Sequence, residues 1–287
     1  MTFRSTSLRG SVALGVFALV VVAAVAGTAA ARPTATAATA TTHRQTANPY
    51  HLIHPGTLTA GLALQFKPLM YLDKNGKPAG YDVAVLNVLA KQMHVKLVIK
   101  NIDFNGLIPG VVAKKFDMVD GLTATPERAK SVTFSRPYIP YAQILAARTG
   151  NTTPATISAW NTSSKTITSL QGSTAEQQVK KTFPQATSHA FPDQNSAFLE
   201  VATGRAHAIV VEDYQLAQFN KSFGNKLKEV AFKKPLHVEY GSYSVHHGNT
   251  AFARYLNRFI CTQQTNGTLA KLYKQTIGAP LPQMPRC

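Results

Sequence analysis

The stretch "GLTATPERAKSVTFSRPY", residues 121–138, follows directly on the apolar run "LIPGVVAKKFDMV", residues 107–119. Thr125 is a good helix N-cap, Pro126 suits the first helical position and Glu127 is favoured in the first turn, so a short helix starts here. Its unpaired backbone N–H groups face whatever precedes Thr125, and Arg128 adds a two-pronged donor that matches a carboxylate. Gly121 and Thr123 stand just upstream. A connection between two elements needs none of these residues, whereas a small-anion site wants nearly all of them. The plainer alternative is a well-capped helix whose arginine makes a surface ion pair.

Outward from this turn, strands and helices alternate. Residues 56–64 read as a strand and 71–82 as a hairpin around Asn75-Gly76. Residues 83–93 have helical spacing, 95–102 alternate like a strand, and 105–117 read as a helix interrupted at Pro109-Gly110. Residues 118–124 form the strand that enters the turn. The second half repeats the grammar, with a strand at 165–170, the turn "QGST", a helix at 175–183, and a helix–strand–helix unit at 196–220. A strand at 237–245 and helices at 251–264 and 269–276 complete the chain. This rhythm predicts an α/β fold with parallel sheet, divided into two similar lobes.

The 287 residues are 45% apolar, enough for one large or two medium cores. Residues 1–31 have the layout of a secretory signal: basic Arg4 and Arg9, an uncharged apolar run, then the small residues Ala29, Ala30 and Ala31. An uncleaved membrane anchor is the alternative. Residues 32–49 are Ala/Thr-rich and read as a disordered linker. The formal charge falls from +17 to +15 when Arg4 and Arg9 leave with the leader. The lysines are scattered rather than gathered into a stripe with aromatics, so nucleic acid is not an expected partner; the dispersed charge favours anionic membrane surfaces. Only Cys261 and Cys287 are present. In an exported chain they most simply form one disulfide, tying the tail "APLPQMPRC" to a late helix; two free thiols is the alternative.

An ordered series of motifs adds a resemblance. It runs "YLDKNGKPAGYDVAVLNVLAKQM", "IDFNGLIPGVVAKKFDMV", "GLTATPERAKSVTFSRPY", "LQGSTAEQQV", "ATGRAHAIVVED", "EYGSYSV" and "NGTLAKLYKQTIG". From about 56 to 278 the chain resembles the extracellular solute-binding proteins of family 3, the polar-amino-acid-binding components of bacterial ABC transporters. The resemblance implies a type II periplasmic-binding-protein fold, with two α/β lobes joined by two hinge strands and one ligand in the cleft. Lobe 1 is expected at 50–141 plus 241–287 and lobe 2 at 142–240, with hinges near Ala142 and Tyr240. A free amino acid and a membrane permease are the implied partners, the periplasm or cell exterior the implied location, a monomer the expected state and no cofactor is called for.

The resemblance also assigns residues. Arg128 matches the arginine that binds the ligand carboxylate, with Gly121 and Thr123 beside it. Ser173 and Thr174 match the second-lobe turn that completes that grip. Phe66 and Phe104 match aromatics that sandwich the ligand side chain. The aspartate that pairs with the ligand ammonium falls on Glu212, with Asp213 adjacent. Two departures stand out. The first-lobe aspartate of the family is Ala63 here, and a position usually small is Asp120. Asp120 is therefore expected to face the cleft and to select a polar or cationic side chain; an acid turned to solvent or held in a salt bridge is the alternative. The rival class is an enzyme on the same scaffold, a cyclohexadienyl dehydratase using Glu212 or Asp120 as its acid. His246-His247 and the remaining His and Cys residues lack metal-site spacing, "LQGST" lacks a phosphate-loop lysine, and there is no G-x-S-x-G elbow.

Overall fold

The computed structural model describes residues 48–287. The leader lies outside the described residues, as does the linker up to residue 47. Asn48 and Pro49 instead lead straight into the folded part, because the Asn48 side chain exchanges two 2.8 Å hydrogen bonds with the Leu52 backbone. No helix among the described residues is long and apolar enough to cross a membrane.

The chain opens with β1 (Thr57–Leu62) and a small unit of β2 (Gln65–Phe66), β3 (Met70–Leu72) and β4 (Pro78–Ala79). Next come α1 (Tyr81–Gln92), β5 (Lys96–Asn101), α2 (Leu107–Val112), β6 (Met118–Thr123) and α3 (Pro126–Ala129). β7 then runs without interruption over Val132–Arg148. The middle of the chain holds α4 (Ile157–Trp160), β8 (Thr166–Leu170), α5 (Thr174–Thr182), β9 (Thr187–Phe191), α6 (Gln194–Ala202), β10 (Ala208–Glu212), α7 (Asp213–Phe223) and β11 (Leu227–Glu229). β12 (His237–His246), α8 (Thr250–Thr265) and α9 (Thr268–Ile277) close it.

The main sheet has the order β5-β1-β6-β12-β7-β10-β8-β9, with β11 added to β7. It is mixed rather than wholly parallel. β1, β5 and β6 are parallel, as are β8, β9 and β10, and antiparallel β7 and β12 join the two groups. β7 pairs with β12 from Val132 to Gln143 and with β10 from Gln143 to Ala147, so one strand serves both halves.

The cores divide along the same line. One cluster gathers Leu58, Leu62, Leu86, Val119, Tyr138 and Phe252, from the first strands and the last helices. In the second half, odd and even residues of each strand go to opposite faces. Ile144, Ala146, Ile209 and Val211 pack on one side, Leu145, Ala147, Ala208 and Val210 on the other. A strand covered on both faces reads as a continuous apolar run, which explains "AIVV" in β10. Cys261 and Cys287 are disulfide-bonded with Cα atoms 5.6 Å apart, which fastens the tail to α8.

One local expectation changes. Pro109 does not break its helix, because it sits in the first turn of α2, where a backbone N–H has no intrahelical acceptor to lose. β7 passes through Pro137 and Pro140, which lie beside irregular steps in the β7–β12 register, where a missing N–H is tolerated. β9 and β11 were not anticipated, since "TSHAF" and "LKE" carry little apolar alternation.

Candidate functional site

A cleft lies where the two halves of the sheet meet. One wall carries Phe66, Phe104, Asp120, Gly121, Thr123 and Arg128. The facing wall carries Ser173, Thr174, Glu212, Tyr214 and Gln215, with Tyr141 of β7 at the crossing. Nine of the ten ligand-site residues expected from the sequence thus share one cleft. The exception is Asp213, whose carboxylate turns to the Ala142 and Tyr214 backbone N–H groups at the strand crossing. Glu212, one residue earlier, ends β10, precedes the first turn of α7 and lines the cleft.

Arg128 is held from below. Thr125 caps α3 by accepting the Arg128 backbone N–H at 3.2 Å, so the helix end satisfies itself and the anion-binding capacity passes to the guanidinium. Arg128 as a whole is 9% exposed. Nη1 donates to the Thr123 carbonyl at 2.9 Å and Nη2 to the Gly172 carbonyl at 3.1 Å, on the opposite wall. Both acceptors are neutral, and none of the ion pairs among the described residues involves Arg128. Burial lowers its basicity, while Tyr141, Glu239 and Glu212 act the other way. A buried guanidinium that lines the cleft with no carboxylate partner among the described residues is suited to take an anionic one.

The opposite wall is built by α5. Ser173 caps it, accepting from the Glu176 N–H at 3.2 Å and donating to the Leu170 carbonyl at 2.6 Å. Thr174, in the first turn, donates its hydroxyl to Glu239 Oε2 at 2.7 Å. Thr123 donates to the same oxygen at 2.9 Å from the other wall. Glu239 is 4% exposed in β12 and was missed by the sequence reading. A signal existed: at a period of two it shares a strand face with Tyr243 and Val245, both fully buried.

Glu212 is hydrogen-bonded by Gln215, and its carboxyl is pushed up to about 7, chiefly by burial and then by the nearby Glu239 charge. Asp120 also lines the cleft. Its Oδ1 lies 2.6 Å from the Tyr138 hydroxyl, which also reaches Asp82 Oδ1 at 2.9 Å. Burial raises both aspartates above the ordinary carboxylate range, and for Asp82 the Asp120 charge adds to it. Phe66 and Phe104 meet edge to face, ring centroids 6.0 Å apart, with the Arg128 guanidinium 5.7 Å from the Phe104 ring. In this arrangement they contact each other instead of framing a slot, as the ring quadrupoles prefer.

The profile of the bacterial extracellular solute-binding proteins, family 3, matches residues 58–279. The ABC transporter arginine-binding protein 1 of Escherichia coli (strain K12) is 24% identical over 220 residues, 75% of this chain and 88% of that protein. Among solved structures, an ancestral arginine-binding protein bound to arginine superposes with a TM-score of 0.70 at 31% identity, covering 78% of this chain and 99% of its own. The ancestral amino acid-binding protein AncCDT-1, a precursor of cyclohexadienyl dehydratase, gives 0.70 at 30% identity, covering 77% and 95%.

Proposed function

The chain belongs to the bacterial extracellular solute-binding proteins, family 3, and from that premise we propose that it captures a free amino acid in its cleft and delivers it to the permease of an ABC transporter. Its fold is the type II binding-protein fold. The observation that carries the reading is the Arg128 guanidinium, buried in the cleft and bonded only to backbone carbonyls. An α-carboxylate completes it, and Glu212 across the cleft takes the α-ammonium. Gly121, Thr123, Ser173 and Thr174 frame the two, and Phe66 and Phe104 move apart to admit the side chain. Asp213 has no part in this arrangement.

Charge balance narrows the ligand. The cleft and the layer behind it hold one guanidinium against Glu212, Glu239 and Asp120. Burial raises Glu212 and Asp120 to about 7, so each gives up its proton most readily with a cation beside it, and a ligand with one carboxylate and two cationic groups can pair with both where a neutral side chain pairs with one. The function is accordingly uptake of a cationic amino acid. Lobe 1 then comprises 50–141 plus 241–287 and lobe 2 142–240, closing about hinges near Ala142 and Tyr240. The separation of the cores at Ile139 and Ile144 supports that division. The leader exports the chain, which then acts as a monomer outside the membrane.

A thermal-shift screen against the amino acids tests the reading, because a ligand that binds only the folded form raises its melting temperature. Arginine or lysine is expected to give the largest rise; no rise with any amino acid removes the proposal. A second reading, a dehydratase, rests on the likeness to AncCDT-1 and on Glu212 holding a proton near neutrality. Product formation from arogenate or prephenate would favour it instead.

A further inference from the structure

Behind the Asp120 wall lies chemistry that a simple cation pocket does not need. The Tyr138 hydroxyl carries one hydrogen yet sits at hydrogen-bonding distance from two carboxyl oxygens, Asp120 Oδ1 at 2.6 Å and Asp82 Oδ1 at 2.9 Å. A hydroxyl can donate once, so the second contact requires a hydrogen on one of the carboxyls. Asp82 and Asp120 are each 1% exposed, and the Oδ2 atom of each is buried without a partner. Asp82 is fixed in the first turn of α1, Asp120 in β6 and Tyr138 in β7, so the three oxygens are positioned by rigid elements. The other titratable groups acting on the pair are hydroxyls: Tyr81 from α1, Tyr214 from α7, Tyr243 from β12 and Tyr273 from α9. No cation is among them, and no ion pair among the described residues uses either aspartate. Two adjacent carboxyls in such a place cannot both ionise, and one proton stays with the pair.

We propose that Asp82 and Asp120, joined through Tyr138, form a carboxyl pair holding one proton, and that the distal cation of a bound amino acid displaces this proton, making recognition of cationic side chains proton-linked. This rests on the amino-acid reading of the cleft and adds Asp82 to the specificity machinery as a positioning residue. Only Asp120 lines the cleft; Asp82 acts through the shared hydroxyl. The step balances simply. The ligand ammonium or guanidinium stays charged, the pair loses one proton to water, and the carboxylate left on Asp120 pairs with the ligand. A neutral side chain provides no charge to stabilise that carboxylate, so the proton stays.

Isothermal titration of the purified chain with arginine and with glutamine tests this, in two buffers of different ionisation enthalpy near neutral pH. Glu212 faces the α-ammonium, which both ligands carry, so its proton release is common to both and cancels in the difference. Arginine is expected to release about half to one proton more than glutamine, and the ratio of its affinity to that of glutamine to rise by up to about tenfold per pH unit through the acidic range, the slope set by the one additional linked proton. Asp82→Asn keeps an acceptor for Tyr138 but leaves a lone carboxyl, so the excess release should vanish and the pH profile move to lower pH. Asp120→Asn should abolish both the excess and the preference for arginine. Equal proton release for the two ligands, or an Asp82→Asn profile identical to wild type, overturns the proposal while leaving the amino-acid reading standing. Absence of binding by either ligand removes both.

Discussion

At the scale of single residues, the cleft turns on the ionisable side chains of Arg128, Glu212 and Asp120, which line it together. Arg128 was legible in the residues themselves, as a cation in the first turn of a capped helix, whereas Glu212 and Asp120 were reached only through the family resemblance. Glu239 and Asp82 were passed over, because their partners come from β6, α5 and β7, far away in the chain. The facing of Phe66 and Phe104 was not legible either, since ring orientation is a packing outcome. Arg128→Ala should lower affinity for the preferred amino acid at least tenfold by calorimetry, since truncating one partner of a buried charge pair typically costs about 2–5 kcal/mol. Undiminished affinity would remove Arg128 from the site.

At the scale of elements, most helices and strands were readable from periodicity and capping, but their continuity was not. β7 is one strand of 17 residues that passes through Pro137 and Pro140, because β12 supplies its ladder along the proline stretch. The approach of the β3–β4 unit to α1 depends on Gly80, whose φ is +112°. A Cβ there would lie 2.2 Å from the Leu69 carbonyl oxygen. Gly80→Ala should therefore cost at least about 1–3 kcal/mol, the range for strained conformations and overpacking. That is a drop of roughly 2–4 °C in Tm per kcal/mol for a chain of this size. An unchanged Tm would show that the hairpin can shift at no cost.

At the scale of the whole molecule, stability and ligand binding share the same buried acids. Glu212 has a folded-state pKa of about 7 against an ordinary 4.5, so the folded form holds its proton more tightly than the unfolded one. Its contribution is full below about pH 4.5 and is lost as pH rises through about 7. The ligand-free protein should accordingly lose Tm across that window, and the rise in Tm given by arginine should grow over it, because the α-ammonium compensates the carboxylate. A ligand-free Tm that climbs steadily from pH 5 to 7.5 contradicts this. The Cys261–Cys287 bridge closes a loop of 26 residues along the chain. Replacing both cysteines by serine should cost about 3–4 kcal/mol in denaturant titration, following the loop-entropy relation; no loss would mean that the tail holds by packing alone. The sequence by itself determined the two-part α/β grammar and the identity of the charges, because periodicity, capping and burial cost act locally along the chain. Only the tertiary structure decided that the Tyr138 hydroxyl stands between Asp82 and Asp120, that Glu239 ties the two walls, and that Asp213 faces away. Those outcomes depend on distances between elements remote in sequence, and the hydrogen-bond and Coulomb terms that set them exist only after the chain has packed.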